Sequence, residues 1–421
     1  MHLKRHTLVC NSAPPNPALT SMNTRIQSAM LNTTPPIIAA TILRPDGDSG
    51  VNTHIHHLQQ YATSTGAPIQ LITPYSWGGL LRTGLFAPRL LIDRLHPGTG
   101  IRWYRFWHEF ILRRALHMTL ARSPHATIYA QEPVAALAAL RARHRRPPRI
   151  VLVLHSPQGS HADEWAIKGK LRPSDRTFRA IRRMERDVIL SVDGLIYVSD
   201  YTRRALLEWL PDASRIPHQV IPNFIDIPRP APRTARPTRD LVTIGNLTPV
   251  KNHSRLLHIL AAAHRAGHPL SLDIYGDGPL RHELQRLATD LHLAEHVRLL
   301  GFHRDVRTSL PHYRAYIHTS LAESFGIAII EAMAAALPIF AIAVGPIPEL
   351  FTDGIQGRYL PLDDTTAAAT MITDSLADTT WLGHASRAAY TRAADNFSLT
   401  AVGPRLLSFL NNIASIQSHA F

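Results

Sequence analysis

Short apolar runs, each followed by a loop and then a segment of helical spacing, recur along this chain and allow it few folds. In the first half they fall at residues 36–43, 69–73, 126–130, 150–154 and 194–198. In the second half they fall at 241–244, 270–275, 297–300, 315–320 and 338–344. Most are apolar throughout rather than alternating, as strands buried on both faces are. Strand and helix in strict alternation predict doubly wound parallel sheets. Residues 227–239, rich in Pro and Arg, separate the two series and read as an extended linker. At 421 residues the chain is long for one core. The expected organisation is a flexible leader over 1–34, an N-terminal Rossmann-like domain over 35–226, the linker, a C-terminal domain over 240–397, and a helix within 398–421 that is free to pack back on the first domain.

Composition narrows the class. Hydrophobic content of 45% with 18% charged residues describes a globular protein. The single cysteine, Cys10, excludes an intrachain disulfide and fits a reducing, cytoplasmic setting. No apolar run reaches the roughly 18 residues that span a bilayer. Residues 1–34 lack the apolar region of a signal peptide and read as a leader or an over-extended start, with Met22 and Met30 as alternative first residues. The formal charge of +14 is uneven: residues 1–240 carry 32 Lys and Arg against 16 Asp and Glu, and residues 241–421 carry 13 against 15. A basic first half points to an anionic partner such as a membrane surface, a phosphate-bearing acceptor or nucleic acid, or else reflects an Arg-rich composition overall.

The densest chemistry lies at 315–336, where a strand passes through a loop carrying Glu323 and Gly326 into a helix carrying Glu331. Both carboxylates are placed to face a ligand at the helix N-terminus, where free N–H groups and the helix dipole suit a phosphate. Lys251, in the loop after the strand at 241–244, adds a positive charge, and Gly276-Asp277-Gly278-Pro279 follows the next strand. In the first half His155 stands at a strand's carboxyl end, where open α/β sheets bind ligands. Gly47 and Gly50 allow a tight turn after the first strand. Asp46-Gly47-Asp48 matches an Asp-x-Asp metal motif, but Asp and Gly are ordinary turn residues and the loop reading is preferred. Of His54, His56 and His57 only the first and last share a helical face, and with no third ligand they read as solvated or capping. The cluster Arg102-Trp103-Tyr104-Arg105-Phe106 fits an amphipathic helix with its aromatic face on the core and some arginines free to reach anionic lipid.

Taken together, the second half resembles the retaining glycosyltransferases of family 4 (glycosyl transferases group 1), which have the GT-B fold. The residues that carry the resemblance are 245–251 (Gly-Asn-Leu-Thr-Pro-Val-Lys), 276–279, 297–301, 323–334 and 345–349 (Gly-Pro-Ile-Pro-Glu). It extends more weakly to the 47–50 loop, His155, Ser199 and 223–226. The resemblance implies that Glu323 and the backbone of Ser324, Phe325 and Gly326 hold the donor sugar and its phosphates. It implies that Glu331 binds the ribose and Lys251 neutralises the leaving diphosphate, with Asn246, Gly276 and Gly278 in the donor-binding set. His155 would contact the sugar near the reacting carbon, and Gly50 would let the first loop close. Three positions depart from the family pattern: Asn246 stands where Arg is usual, Pro346 where Gly is usual, and Phe224 where Gly is usual.

The implied reaction is retaining transfer of a sugar, of hexosyltransferase type, from a nucleotide-diphosphate sugar to an acceptor hydroxyl in surface polysaccharide, lipopolysaccharide or glycolipid synthesis. The growing charge on the departing phosphate is the main demand, so no metal or other cofactor is expected. The expected partners are the donor, a glycan or lipid-linked acceptor and an anionic membrane surface on its inner face, with no nucleic acid. Two rivals stand beside this: a sugar-nucleotide epimerase of the same fold, and a non-catalytic polyanion-binding protein with a decayed donor site, for which Asn246 and Pro346 speak.

Overall fold

The first apolar run forms β1 (Ile37–Ala40), buried at every residue because strands flank both its edges and helices cover both faces. The structure, a computed structural model, describes residues 36–45, 47, 50–76, 97–142, 147–156, 160–167, 169–227 and 237–415. From β1 the chain runs through α1 (Gly50–Thr65), β2 (Ile69–Ile72), α2 (Pro97–Arg122), β3 (Thr127–Ala130), α3 (Pro133–Arg141) and β4 (Arg149–Leu154). It continues through α4 (His161–Ile167), α5 (Arg176–Ile189), β5 (Gly194–Tyr197), α6 (Asp200–Trp209) and β6 (His218–Val220). These strands form one parallel sheet in the order β2-β1-β3-β4-β5-β6.

A second series follows: β7 (Arg239–Ile244), α7 (His253–Arg265), β8 (Leu272–Tyr275), α8 (Arg281–Asp290), β9 (Val297–Gly301), β10 (Tyr313–His318) and α9 (Ile327–Ala334). Then come β11 (Ile339–Ile342), α10 (Ile347–Leu350), β12 (Gly357–Leu360) and α11 (Thr365–Ala377). The second sheet is also parallel, in the order β12-β11-β10-β7-β8-β9. Strand order reverses between β1 and β3 in the first sheet and between β7 and β10 in the second. At such reversals the connections leave in opposite directions and open a crevice at the carboxyl ends of the strands. The fold thus sets the residues just past β1, β3, β7 and β10 around ligand-binding crevices.

One apolar layer packs α2, α3 and α5 on the first sheet through Leu112, Leu116, Ala138 and Val188. Another packs α7 and α11 on the second through Leu256, Leu260, Ile372 and Leu376. A third cluster runs through both domains, from Leu58 and Val151 by way of Phe224 and Phe325 to Phe397 and Leu406. The chain crosses back through α12 (Thr379–Phe397) and α13 (Leu399–Ser415). At the crossing the Ile225 N–H donates to the Phe397 carbonyl at 2.9 Å and the Leu399 N–H to that of Ile225 at 3.0 Å. Beyond it α13 lies against α1, β3 and β4, with Gly403 pressed on the Tyr61 ring.

Several expectations shift. The strand read at 315–320 begins two residues earlier, because its ladder with β7 opens at Tyr313 opposite Arg239, and Thr319 and Ser320 belong to the loop. The leader, Cys10, Asp46, Asp48 and most of the 227–239 linker lie outside the described residues. The aromatic face of α2 does not all turn inward. Ile101 and Leu112 are buried, whereas Phe106 is 59% and Phe110 39% exposed, stacked on each other and edge-on to Trp107 in an outward ridge. Among the described residues no helix is long and apolar enough to cross a membrane.

Candidate active site

The loop after β10 turns at Gly326, whose φ of +104° a side chain would strain, and there α9 begins. Glu323 lies just before the turn, 9% exposed. Lys251 forms an ion pair with its Oε1, and His318 Nε2 donates to the same oxygen at 2.8 Å. Its Oε2 has no protein partner among the described residues. Burial pushes the Glu323 carboxyl up, but the Lys251 ammonium and the His318 bond outweigh it and hold the group well below the usual carboxylate range. Glu331, at the start of the second turn of α9, has no such partner among the described residues. Burial raises it to about 7, against a weaker pull from Arg307.

Lys251 reaches Glu323 because the loop after β7 is pinned in place. Gly276 permits the close approach: at φ +139° a Cβ there would fall 2.1 Å from the Gly245 carbonyl oxygen. The Gly245 N–H donates to the Tyr275 carbonyl and the Leu247 N–H to that of Asp277, both at 2.9 Å.

Facing this half, the first sheet ends in Gln131-Glu132 after β3 and His155 after β4. His155 Nε2 donates to Gln131 Oε1 at 3.2 Å, and its ring lies edge-on to His54 at 5.2 Å. Burial and the neighbouring histidines keep the His155 imidazole neutral, well below its ordinary range. His54 and His57 are not solvated as the sequence suggested: both are buried, because the helical face they share is the one α1 lays on the sheet. His54 bonds the Tyr129 hydroxyl at 3.1 Å and burial takes it down to about 3; His57 bonds Gln60 at 2.8 Å. Among the described residues no three His, Cys, Asp or Glu groups gather as metal ligands.

The halves enclose a cleft of about 630 Å³, within the range of small-molecule sites. It brings together His155, Gly50, Asn246, Lys251, Gly276, Glu323, Ser324, Phe325, Gly326 and Glu331. Gly50, at the N-terminus of α1, faces Ile327 at the start of α9 across the opening. Gly278 is not in the lining. It sits under the Leu247 backbone, where a Cβ would come within 2.6 Å of a carbonyl oxygen, and supports the loop instead.

Sequence reasoning passed over several lining groups. Glu132 follows the same strand-end logic as His155: it accepts from the Thr41 hydroxyl at 2.9 Å and the Ile42 N–H at 2.5 Å, and burial raises it to about 7. His318 lies inside the quoted stretch but carried no signal beside Glu323. Tyr104, Arg105, His161 and Trp165 line the N-terminal side and come from helices whose approach to the cleft has no local motif. A further contact joins the domains. Glu349 on α10 accepts the N–H groups of Asp200 at 2.8 Å and Tyr201 at 2.6 Å, capping α6 beside the Ser199 cap.

Comparisons with known proteins agree with this architecture. Residues 49–229 match the family described as Glycosyltransferase Family 4, and residues 228–396 match Glycosyl transferases group 1. The chain is similar to a GDP-mannose-dependent alpha-(1-6)-phosphatidylinositol monomannoside mannosyltransferase of Mycolicibacterium smegmatis. The identity is 29% over 67% of this chain and 75% of that protein. Sucrose-phosphate synthase from Thermosynechococcus elongatus superposes with a TM-score of 0.70 at 16% identity, covering 90% of this chain and 99% of that one. TarM of S. aureus, crystallised with UDP, alpha-GlcNAc-glycerol and Fondaparinux, superposes with a TM-score of 0.57 at 17% identity. There 71% of this chain is covered, and it spans only 59% of TarM.

Proposed function

This chain belongs to the GT-B glycosyltransferases, a family 4 half joined to a group 1 half, and from that premise we propose that it moves a sugar from a nucleotide-diphosphate sugar to an acceptor hydroxyl with retention at the anomeric carbon. The observation that carries the reading is the state of Glu323. Its charge is secured by Lys251 and His318 on one oxygen, the other oxygen is left for a sugar hydroxyl, and the helix N-terminus beside it suits a diphosphate.

In this reading the backbone of Ser324, Phe325 and Gly326 holds the donor phosphates and Glu331 accepts from the ribose hydroxyls. Asn246 and Gly276 line the diphosphate pocket, and neutral His155 lies against the sugar near the reacting carbon. The bond from the anomeric carbon to the phosphate oxygen breaks as the acceptor oxygen bonds to that carbon on the same face. The acceptor proton passes to the departing phosphate. Lys251 and the α9 terminus stabilise the charge that develops there, chemistry that runs without a metal. Gly50 lets α1 approach α9, and closure keeps water from the donor.

The acceptor is a glycan or lipid-linked sugar of surface polysaccharide, lipopolysaccharide or glycolipid synthesis, met at the cytoplasmic face of the membrane. The outward Phe106, Trp107 and Phe110 ridge on α2, with the basic charge of the first half, supports peripheral docking. The test of the donor half is thermal shift with UDP-, GDP- and ADP-sugars: one base raises the melting temperature in wild type and not in Glu323→Ala. Equal shifts in both proteins, or none with any donor, would remove the assignment.

A further inference from the structure

Arg105 is a guanidinium in the cleft that pairs with no carboxylate among the described residues. It lines the N-terminal side, on α2, and among the described residues no carboxylate oxygen lies within ion-pair distance of it. Among the described residues it aims an N–H at the Met184 thioether 3.9 Å away, a weak acceptor. The nearest acids are otherwise engaged. Glu185 takes the Ser160 hydroxyl at 2.6 Å and the His161 N–H at 3.0 Å, and Glu132 takes Thr41 and Ile42. A half-buried planar cation with no carboxylate partner among the described residues is matched by an oxyanion that accepts two parallel bonds.

Its position separates it from the donor. The diphosphate pocket is built on the other domain, from the α9 terminus, Lys251 and the loop after β7. Arg105 instead lies among groups of the first domain: Tyr104 beside it, His161 on α4 and Glu132 at the end of β3. His161 is held by Glu164 at 3.1 Å and brings a second ring nitrogen to this corner. Trp165, one turn along α4, lines the same wall, with the Lys170 ammonium 5.0 Å from its ring centre.

We infer that the acceptor carries an anionic group, a phosphate or a carboxylate, and that Arg105 seats it. The inference rests on the glycosyl-transfer reading and deepens it by naming the acceptor's class. An acceptor anchored by its anion at Arg105 would extend past Glu132 toward His155, with its reacting hydroxyl beneath the donor sugar. A neutral sugar would leave the guanidinium unfilled and be discriminated against.

The test uses the full chain saturated with whichever nucleoside diphosphate it binds, so that the donor pocket is occupied. Inorganic phosphate and acetate are titrated separately by calorimetry, at constant ionic strength in chloride, into wild type, Arg105→Met and Arg105→Lys. The expected result is saturable binding of at least one anion to wild type, weakened tenfold or more in Arg105→Met and largely kept in Arg105→Lys, with nucleotide affinity unchanged in all three. Preference for phosphate names a phosphoryl acceptor, and preference for acetate a uronate-like one. Equal anion binding in wild type and Arg105→Met, or no saturable binding of either anion, overturns the inference. So does loss of nucleotide affinity in Arg105→Met, which would make Arg105 the diphosphate cation missing at Asn246. If no nucleoside diphosphate binds wild type the donor reading fails instead, and the same titration without nucleotide still decides what Arg105 holds.

Discussion

His318 Nε2 stands 2.8 Å from Glu323 Oε1, and Lys251 closes on that same oxygen, so the imidazole and the ammonium together orient the carboxylate. Removing the carboxylate in Glu323→Ala takes away a charge-assisted contact of about 1.5–3 kcal/mol, so kcat/KM should fall roughly tenfold to a hundredfold or more. His318→Leu leaves the charge with Lys251 alone. It should raise the donor KM by about tenfold with a smaller effect on kcat, and His318→Gln, which can still donate, should recover part of that. Steady-state kinetics on the three variants separates orientation from charge.

Glu331 predicts opposite pH trends for stability and for binding. Burial raises its carboxyl to about 7, above its unfolded value, so the folded state binds this proton more tightly and stability falls as pH rises from about 4.5 to 7. Allowing for its contact with cleft water, the loss is about 1–2 kcal/mol. Glu331→Gln should therefore melt higher than wild type at pH 8 and about equally at pH 5. Donor affinity in wild type should rise over the same interval, because ribose hydroxyls are accepted best by the ionised form, and Glu331→Gln should lose that rise. Melting curves and donor titrations at pH 5, 6.5 and 8 check both trends.

Glu349 links the domains by capping α6 from the second domain. Glu349→Ala removes acceptors for two N–H groups, at a cost of about 1–2 kcal/mol, and should loosen closure. A larger radius of gyration by small-angle scattering, with a raised donor KM, is the expected result. An unchanged radius would make the contact one of local stability only.

The α2 ridge predicts docking on charged bilayers. Vesicles containing anionic lipid should retain more protein than neutral ones at low salt, and the excess should fade as salt is raised. Phe106→Ser with Phe110→Ser should reduce retention on anionic vesicles several-fold while leaving donor binding intact.

The sheets were legible from the chain because parallel strands buried on both faces give continuous apolar runs, as at 150–154 and 241–244. Half of the site was legible for a related reason: Glu323 and Lys251 sit in strand-end loops whose glycines mark them, and Glu331 lies on the helix that the Glu323 loop opens. The other half was not. Arg105 and Trp165 reach the cleft from helices, where tertiary packing alone decides which residue meets the ligand. The buried state of His54 and His57 was misread because a histidine on a sheet-facing helix looks in sequence like any polar residue. The inward reading of the α2 aromatics failed because Phe106 and Phe110 lie on the face away from Ile101 and Leu112.

The most direct measurement is proton NMR of the donor anomeric signal while the protein slowly hydrolyses an accepted nucleotide sugar with water as acceptor. The account predicts that the sugar first released keeps the donor's anomeric configuration, and that Glu323→Ala releases none on the same time scale. First release with inverted configuration, or consumption of donor at equal rates by both proteins, would contradict it.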